Sequence, residues 1–257
     1  MTAPGRAAMR RAAAVFSAGA LAAALAGCAG LPLPGTGPGA GPGAAGAAGT
    51  APMALPVAKP ALRVGDRWVY AGRETGEGAA GGSTVLARTV TRLAGDRVEL
   101  AQVPLDPATH RPTGPARTRN AKLSVWHLDP AARSSGEIRA LVFPLAPGKV
   151  WQYEYWIAGG ARDVVTTYRY RARVEAPETV RTPAGRFETL RVVHEGEWSR
   201  PVLEDGQPSV RTGTVTTTYW YAPAVGSWVR LEVDLRRPDG RRELGVVQEL
   251  VEYRRGD

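Results

Sequence analysis

The feature that most narrows what this chain can fold into is a period of two in its apolar side chains beyond Pro60. From Val164 to Val174, Val164, Thr166, Tyr168, Tyr170, Ala172 and Val174 share one phase while Arg169, Arg171 and Arg173 share the other. Successive side chains of an extended strand point to opposite faces, so this stretch predicts a strand with one buried and one solvated face. From Trp228 to Leu235 the same alternation sets Val229, Leu231, Val233 and Leu235 against Trp228, Arg230, Glu232 and Asp234. Thr214 to Tyr221 is almost entirely β-branched and aromatic, side chains that lose freedom in a helix and fit a pleated surface.

Turn signals separate such runs at Gly95-Asp96, Asp129-Pro130, Gly159-Gly160, Pro183-Ala184-Gly185, Asp205-Gly206 and Pro238-Asp239-Gly240. No window of a dozen residues carries a helical stripe. The expectation is an all-β domain over residues 61–257, with ten to twelve antiparallel strands forming a curved sheet, a sandwich or a partly open barrel. A weak internal repeat runs through it. Gly65-Asp66-Arg67-Trp68-Val69-Tyr70 recurs as Gly148-Lys149-Val150-Trp151-Gln152-Tyr153, and Gly226-Ser227-Trp228 is a shorter echo. In each hexamer a turn glycine starts a strand whose Trp and Tyr share a face. Trp68, Tyr70, Trp151 and Tyr153 are therefore expected in the core of each half, or else lining a ligand cavity.

The N-terminal part has a different composition. Arg10-Arg11 precede an Ala- and Leu-rich stretch from Ala12 to Ala24, too short to span a bilayer and of signal-peptide length. Met9 would start such a leader by itself, and the residues after Arg10-Arg11 do not complete a twin-arginine export pattern. The stretch closes on Leu25-Ala26-Gly27-Cys28, which holds the only cysteine of the chain. These four residues resemble the lipobox of bacterial lipoproteins. The resemblance implies cleavage after residue 27, a diacylglycerol on the Cys28 thiol and membrane residence through its acyl chains. In envelopes with two membranes, Ala29 in place of aspartate implies sorting to the outer membrane. From Ala29 to Pro60 the chain is mostly Gly, Ala, Pro and Thr with one charge, Lys59. Such a segment has little apolar surface to offset its ordering entropy, so residues 28–60 are expected to be a disordered tether spanning about 30 Å by flexible-chain scaling.

Thr182-Pro183-Ala184-Gly185-Arg186-Phe187, Trp220-Tyr221-Ala222-Pro223 and Gly226-Ser227-Trp228-Val229-Arg230 together resemble a group of uncharacterised bacterial envelope β-domains, of the domain-of-unknown-function type. That resemblance covers about a third of the domain and carries no catalytic residues. A looser similarity, in class alone, is to the lipid-binding half-barrels of lipoprotein carriers. Gly185 is expected to make the tight turn, and the broken alternation between Phe187 and Leu190 suggests a bulge.

Chemistry is sparse. His110, His127 and His194 lie at no ligand spacing, and an acylated Cys28 offers no thiolate, so no metal or other cofactor is expected. In His194-Glu195-Gly196-Glu197 the two carboxylates share one strand face and the histidine takes the other. No nucleophile elbow, Ser-x-x-Lys pair or phosphate loop occurs. Arg169, Arg171 and Arg173 present three guanidinium forks about 7 Å apart, a spacing that suits repeated anions on a lipid or glycan, or simply a solvated sheet face. The formal charge is +9, three of it from Arg6, Arg10 and Arg11 in the leader. The remaining excess suits acidic envelope polymers, and its scatter through strands does not suit nucleic acid. The expected function is a non-enzymatic, membrane-anchored envelope lipoprotein whose β-domain binds an amphipathic ligand or an envelope protein. The alternatives are a hydrolase or glycan-modifying enzyme using His194, Glu195 or Glu197, and a structural assembly factor of an envelope complex.

Overall fold

A computed structural model describes residues 53–77, 82–128, 133–159 and 164–257. The leader, the lipobox with Cys28 and the tether up to residue 52 lie outside the described residues, as do Asp129-Pro130 and Gly160. Twelve strands follow in chain order: β1 Arg67–Thr75, β2 Ser83–Ala94, β3 Arg97–Leu105, β4 Arg117–Lys122, β5 His127–Leu128 and β6 Ser134–Ser135. They continue as β7 Val150–Gly159, β8 Val164–Thr182, β9 Gly185–Glu204, β10 Gln207–Ala222, β11 Ser227–Arg236 and β12 Arg242–Arg254. The single described helical turn is 3-10, at Pro223–Val225.

All twelve belong to one antiparallel sheet in the order β5-β4-β3-β2-β1-β12-β11-β10-β9-β8-β7-β6. A sandwich is thereby excluded. Leu128 and Ser134, at opposite edges of that sheet, are six residues apart in sequence. Six extended residues span at most about 20 Å, so the sheet curls until its edges face one another without pairing. The segment between β6 and β7 crosses this gap at one end. Leu141 N donates to Val125 O at 2.9 Å, Phe143 N donates to Ser124 O at 3.1 Å, and Lys122 pairs with Glu137. The result is a partly open barrel whose concave face holds the main core.

The repeated hexamers begin strands in the same way. Gly65 (φ +92°) and Gly148 (φ +84°) both adopt the left-handed conformation that a side chain resists, and Trp68, Tyr70, Trp151 and Tyr153 all join the main core. At Asp205 (φ 51°) and Gly206 (φ 79°) two successive positive angles close a two-residue hairpin of the kind that matches strand twist.

Three readings of the sequence need correction. Residues 53–60 are not a free tether: Val57 exchanges hydrogen bonds with Leu145 at 2.7 and 2.8 Å, and Val57 and Pro60 are buried. The domain therefore begins by Met53. The bulge expected between Phe187 and Leu190 lies instead across the ladder in β8, between Val174 and Pro177. Finally, Trp228 does not join Arg230, Glu232 and Asp234 on the solvated face. A bulge makes Tyr221 face Trp228 while Trp220 faces Arg230, so Val229 is an extra residue and the phase of β11 resets there. Both Trp228 and Val229 are buried as a result.

Candidate functional site

The residues singled out for catalysis are separated by the sheet itself. His194 is buried on the concave face, where Tyr153 Oη lies 2.9 Å from its Nδ1 and the rings of Trp151, Tyr153, Tyr170 and Tyr219 surround it at 5.2–6.0 Å. Burial holds its pKa down to about 3, so it is neutral at physiological pH. Glu195 and Glu197 are exposed on the convex face, in register with Arg171 and Arg169 of β8. No arrangement of these three groups can act on one bond.

The arginine row is likewise on the solvated face. Arg169 Nε donates across the ladder to Glu154 of β7 at 2.6 Å, and Arg173 donates to Glu175 of its own strand at 2.7 Å, so two of the three arginines are held in exposed ion pairs. The four aromatics proposed as core or ligand lining are packed. Trp68, Tyr70 and Trp151 are buried and Tyr153 is half-buried. Tyr153, Tyr155, Tyr168 and Tyr170 stack on one another with centroids 5.1–6.2 Å apart.

Among the described residues, a charged group in an aromatic setting on the concave face is Arg88. Its strand reads Leu86-Ala87-Arg88-Thr89-Val90, which places the arginine in phase with two core residues and directly across from Trp68 and Gln102. The guanidinium lies over the rings of Tyr70 and Trp228, with Cζ 5.4 and 5.1 Å from their centroids. These two rings stack at 5.6 Å. The neighbouring polar groups are fixed: Ser227 Oγ is 2.8 Å from Tyr70 Oη, Tyr70 Oη donates to Trp228 O at 3.0 Å, and Trp126 Nε1 donates to Ser227 Oγ at 3.3 Å. Trp68 Nε1 donates to Val225 O at 2.8 Å and so ties β1 to the turn before β11. It is the β11 bulge at Val229 that aims Trp228 into this cluster.

Between these groups and His127 of β5 lies a cavity of about 10 Å³. Three polar atoms around it are out of contact with solvent and without a hydrogen-bond partner: Arg88 Nε, His127 Nε2 and Trp228 Nε1. Burial, with the charge of Arg119 added, pulls the Arg88 pKa down to about 10, which leaves it cationic at neutral pH. Burial, then Arg119 and Arg88, hold His127 down to about 3. Burial pushes Tyr70 up to about 12 against the opposing influence of Arg88. No aspartate or glutamate lines the cavity. A half-buried cation whose Nε is shut off from solvent and which has no carboxylate beside it is costly to the free domain, and the two rings offset only part of that cost, about 0.5–2 kcal/mol each by cation–π attraction.

Arg88, His127, Ser227 and Trp228 were not foreseen as a site. The signal for Arg88 was a charge in phase with Leu86 and Val90 of β2. Trp228 was hidden by its bulge, and His127 sits on a two-residue strand that leaves no period to read.

No protein-family model matches the chain, and no curated protein matches it either. Among solved structures it is similar to a protein from Bacteroides fragilis described as exported and of YmcC-like fold, at 16% identity and a TM-score of 0.47, over 77% of this chain and 100% of that one. It is also similar to a protein from Parabacteroides distasonis described as a lipoprotein, at 14% identity and a TM-score of 0.46, over 77% of this chain and 99% of that one. A third likeness is to the hypothetical lipoprotein YmcC from Escherichia coli, at 13% identity and a TM-score of 0.34, over 72% of this chain and 84% of that one. At these TM-scores the overlap is too loose to transfer a site or an activity.

Proposed function

We propose that the chain is a non-enzymatic lipoprotein of the cell envelope, anchored through acylated Cys28, whose β-domain binds an amphipathic envelope component or a protein partner close to the membrane. The observation that carries this reading is the order of parts. A lipobox is followed by residues 29–52, poor in apolar side chains, and then by a domain already packed at Val57. Two or three acyl chains give effectively permanent anchoring, and the intervening residues leave the domain room to clear the lipid headgroups. Ala29 after the cysteine favours the outer membrane where the envelope has two.

The placement of His194 on one face of β9 and Glu195 and Glu197 on the other supports a binding role over a hydrolytic one. A pure assembly role differs from a binding role only in its partner. The test compares wild type with Cys28→Ala in a host that processes lipoproteins. Wild type should yield an N-terminal peptide starting at residue 28 with the added mass of acyl chains and should partition with membranes, while Cys28→Ala should not. A mature terminus elsewhere, or equal partition of the two proteins, would overturn the reading.

A further inference from the structure

Three orphaned nitrogen atoms border the concave cavity, and they have a common requirement. The Arg88 Nε–H and Trp228 Nε1–H can only donate, and neutral His127 donates from Nε2 in one of its tautomers. What would satisfy all three is a group that only accepts. The charge of Arg88 has no carboxylate beside it: the groups acting on it are Tyr70, Arg119 and Tyr219. The bulge at Val229 exists in the strand that delivers Trp228 to this spot, and bulges of this kind commonly re-aim a side chain at a site.

We propose that the Arg88–His127–Trp228 cluster is a receptor for a single carboxylate group. A carboxylate offers two oxygens with about four acceptor positions, enough for three donors, and it supplies the missing negative charge. At about 10 Å³ the cavity admits roughly one oxygen-sized atom without movement, so a flat carboxylate needs less opening than a tetrahedral phosphate. A single water accepts two hydrogen bonds and brings no charge, so it leaves Arg88 uncompensated. The carboxylate can belong to a small free acid or to the head of a fatty acyl chain. Both present the same group to the cluster. This site goes beyond membrane anchoring and does not depend on it.

The full chain carrying Cys28→Ala is titrated with acetate and with decanoate, while tryptophan emission and the thermal midpoint are followed. Trp68, Trp126 and Trp228 all line the cavity, so occupancy should shift emission and raise the midpoint. Decanoate binding more tightly than acetate identifies an acyl chain as the source, and equal binding identifies a small acid. Arg88→Gln should weaken binding about tenfold or more, since a charge-assisted hydrogen bond is lost. Should that variant fail to fold, Trp228→Phe keeps an aromatic ring at the position and removes the indole N–H donor, and it too should weaken binding. Arg171→Gln, on the opposite face, should leave the response unchanged. No response from the Cys28→Ala chain, the same response when Arg88→Gln or Trp228→Phe is added to it, or an equal response to chloride would overturn the carboxylate assignment. Since the domain is used without its anchor, these outcomes are separate from those of the acylation experiment.

Discussion

A hydrogen atom is the largest side chain that position 213 accepts. A Cβ on Gly213 would lie 2.0 Å from Arg236 O and 2.6 Å from Trp198 Nε1. The reason is that the buried Trp198 indole lies across this glycine and donates to Arg236 O at 3.3 Å. Glycine inside a strand is unfavourable by itself, and its presence here is explained by that close approach. Gly213→Ala should therefore cost about 3 kcal/mol in urea unfolding, as overpacking against backbone does. His194 is constrained differently, by titration. The pKa values of both His127 and His194 fall from 6.5 to about 3 on folding. Between those limits the unfolded chain binds protons that the folded one refuses, so stability falls as pH is lowered through that window, by up to about 1.4 kcal/mol per pH unit for each histidine. From pH 6.5 to 5, before carboxylates titrate, His194→Phe should roughly halve this slope in denaturant unfolding measured at stepped pH. An unchanged slope would mean that His194 is solvated.

The strand starts show how two copies of one pattern diverge. Gly65 and Gly148 share a positive φ, yet a Cβ on Gly148 meets open space while one on Gly65 comes 3.2 Å from Gly256 Cα. Next to Gly65, buried Asp66 accepts Gly256 N and Arg63 N, both at 2.8 Å, and so fastens the C-terminal end to β1. Lys149, at the matching position, donates to Val142 O at 2.7 Å and Pro144 O at 2.8 Å. Gly148→Ala should then cost only left-handed strain, about 1–2 kcal/mol, and Gly65→Ala more. Asp66→Ala strands two backbone donors and should cost about 2 kcal/mol or more, with faster hydrogen exchange at Gly256 as its local signature. This scale is also where sequence reading succeeds and fails. Period two identifies β8 and most of β11 because each has one wet and one dry face. It misplaces Trp228 because one extra residue, Val229, inverts the phase without changing composition. The bridge of Val57 to Leu145 leaves no pattern at all, being a single pair inside a Gly- and Pro-rich stretch. Arg88 was legible as an oddity, but its meaning depends on β11 and β5 arriving beside it. Strand order, which excludes the sandwich, rests on the pairing of β1 with β12 at opposite ends of the chain, and no local signal records that.

For the whole molecule, the question is whether the curled sheet is filled or hollow, and its tyrosines answer it in a measurable way. All eight tyrosines of the chain have pKa values raised by burial, Tyr70 to about 12 and Tyr153 and Tyr155 well above the ordinary value. Six of these eight belong to the inward wall of Tyr70, Tyr153, Tyr155, Tyr168, Tyr170 and Tyr219, contributed by β1, β7, β8 and β10. A raised folded pKa means that the folded state keeps protons the unfolded state releases above pH 10. The stabilisation is complete below that pH and is lost as pH rises toward the folded values. Each tyrosine contributes up to about 1.4 kcal/mol per pH unit, so several acting together exhaust an ordinary margin of 5–15 kcal/mol within one or two units. Titration of a filled barrel should therefore be cooperative. Tyrosinate absorbance should rise in a single steep step, coincident with loss of the β-sheet circular dichroism signal. A hollow, water-lined interior would instead let the tyrosines ionise one after another near pH 10 while the sheet signal stayed intact. The stacked packing of Tyr153, Tyr155, Tyr168 and Tyr170 predicts the first outcome.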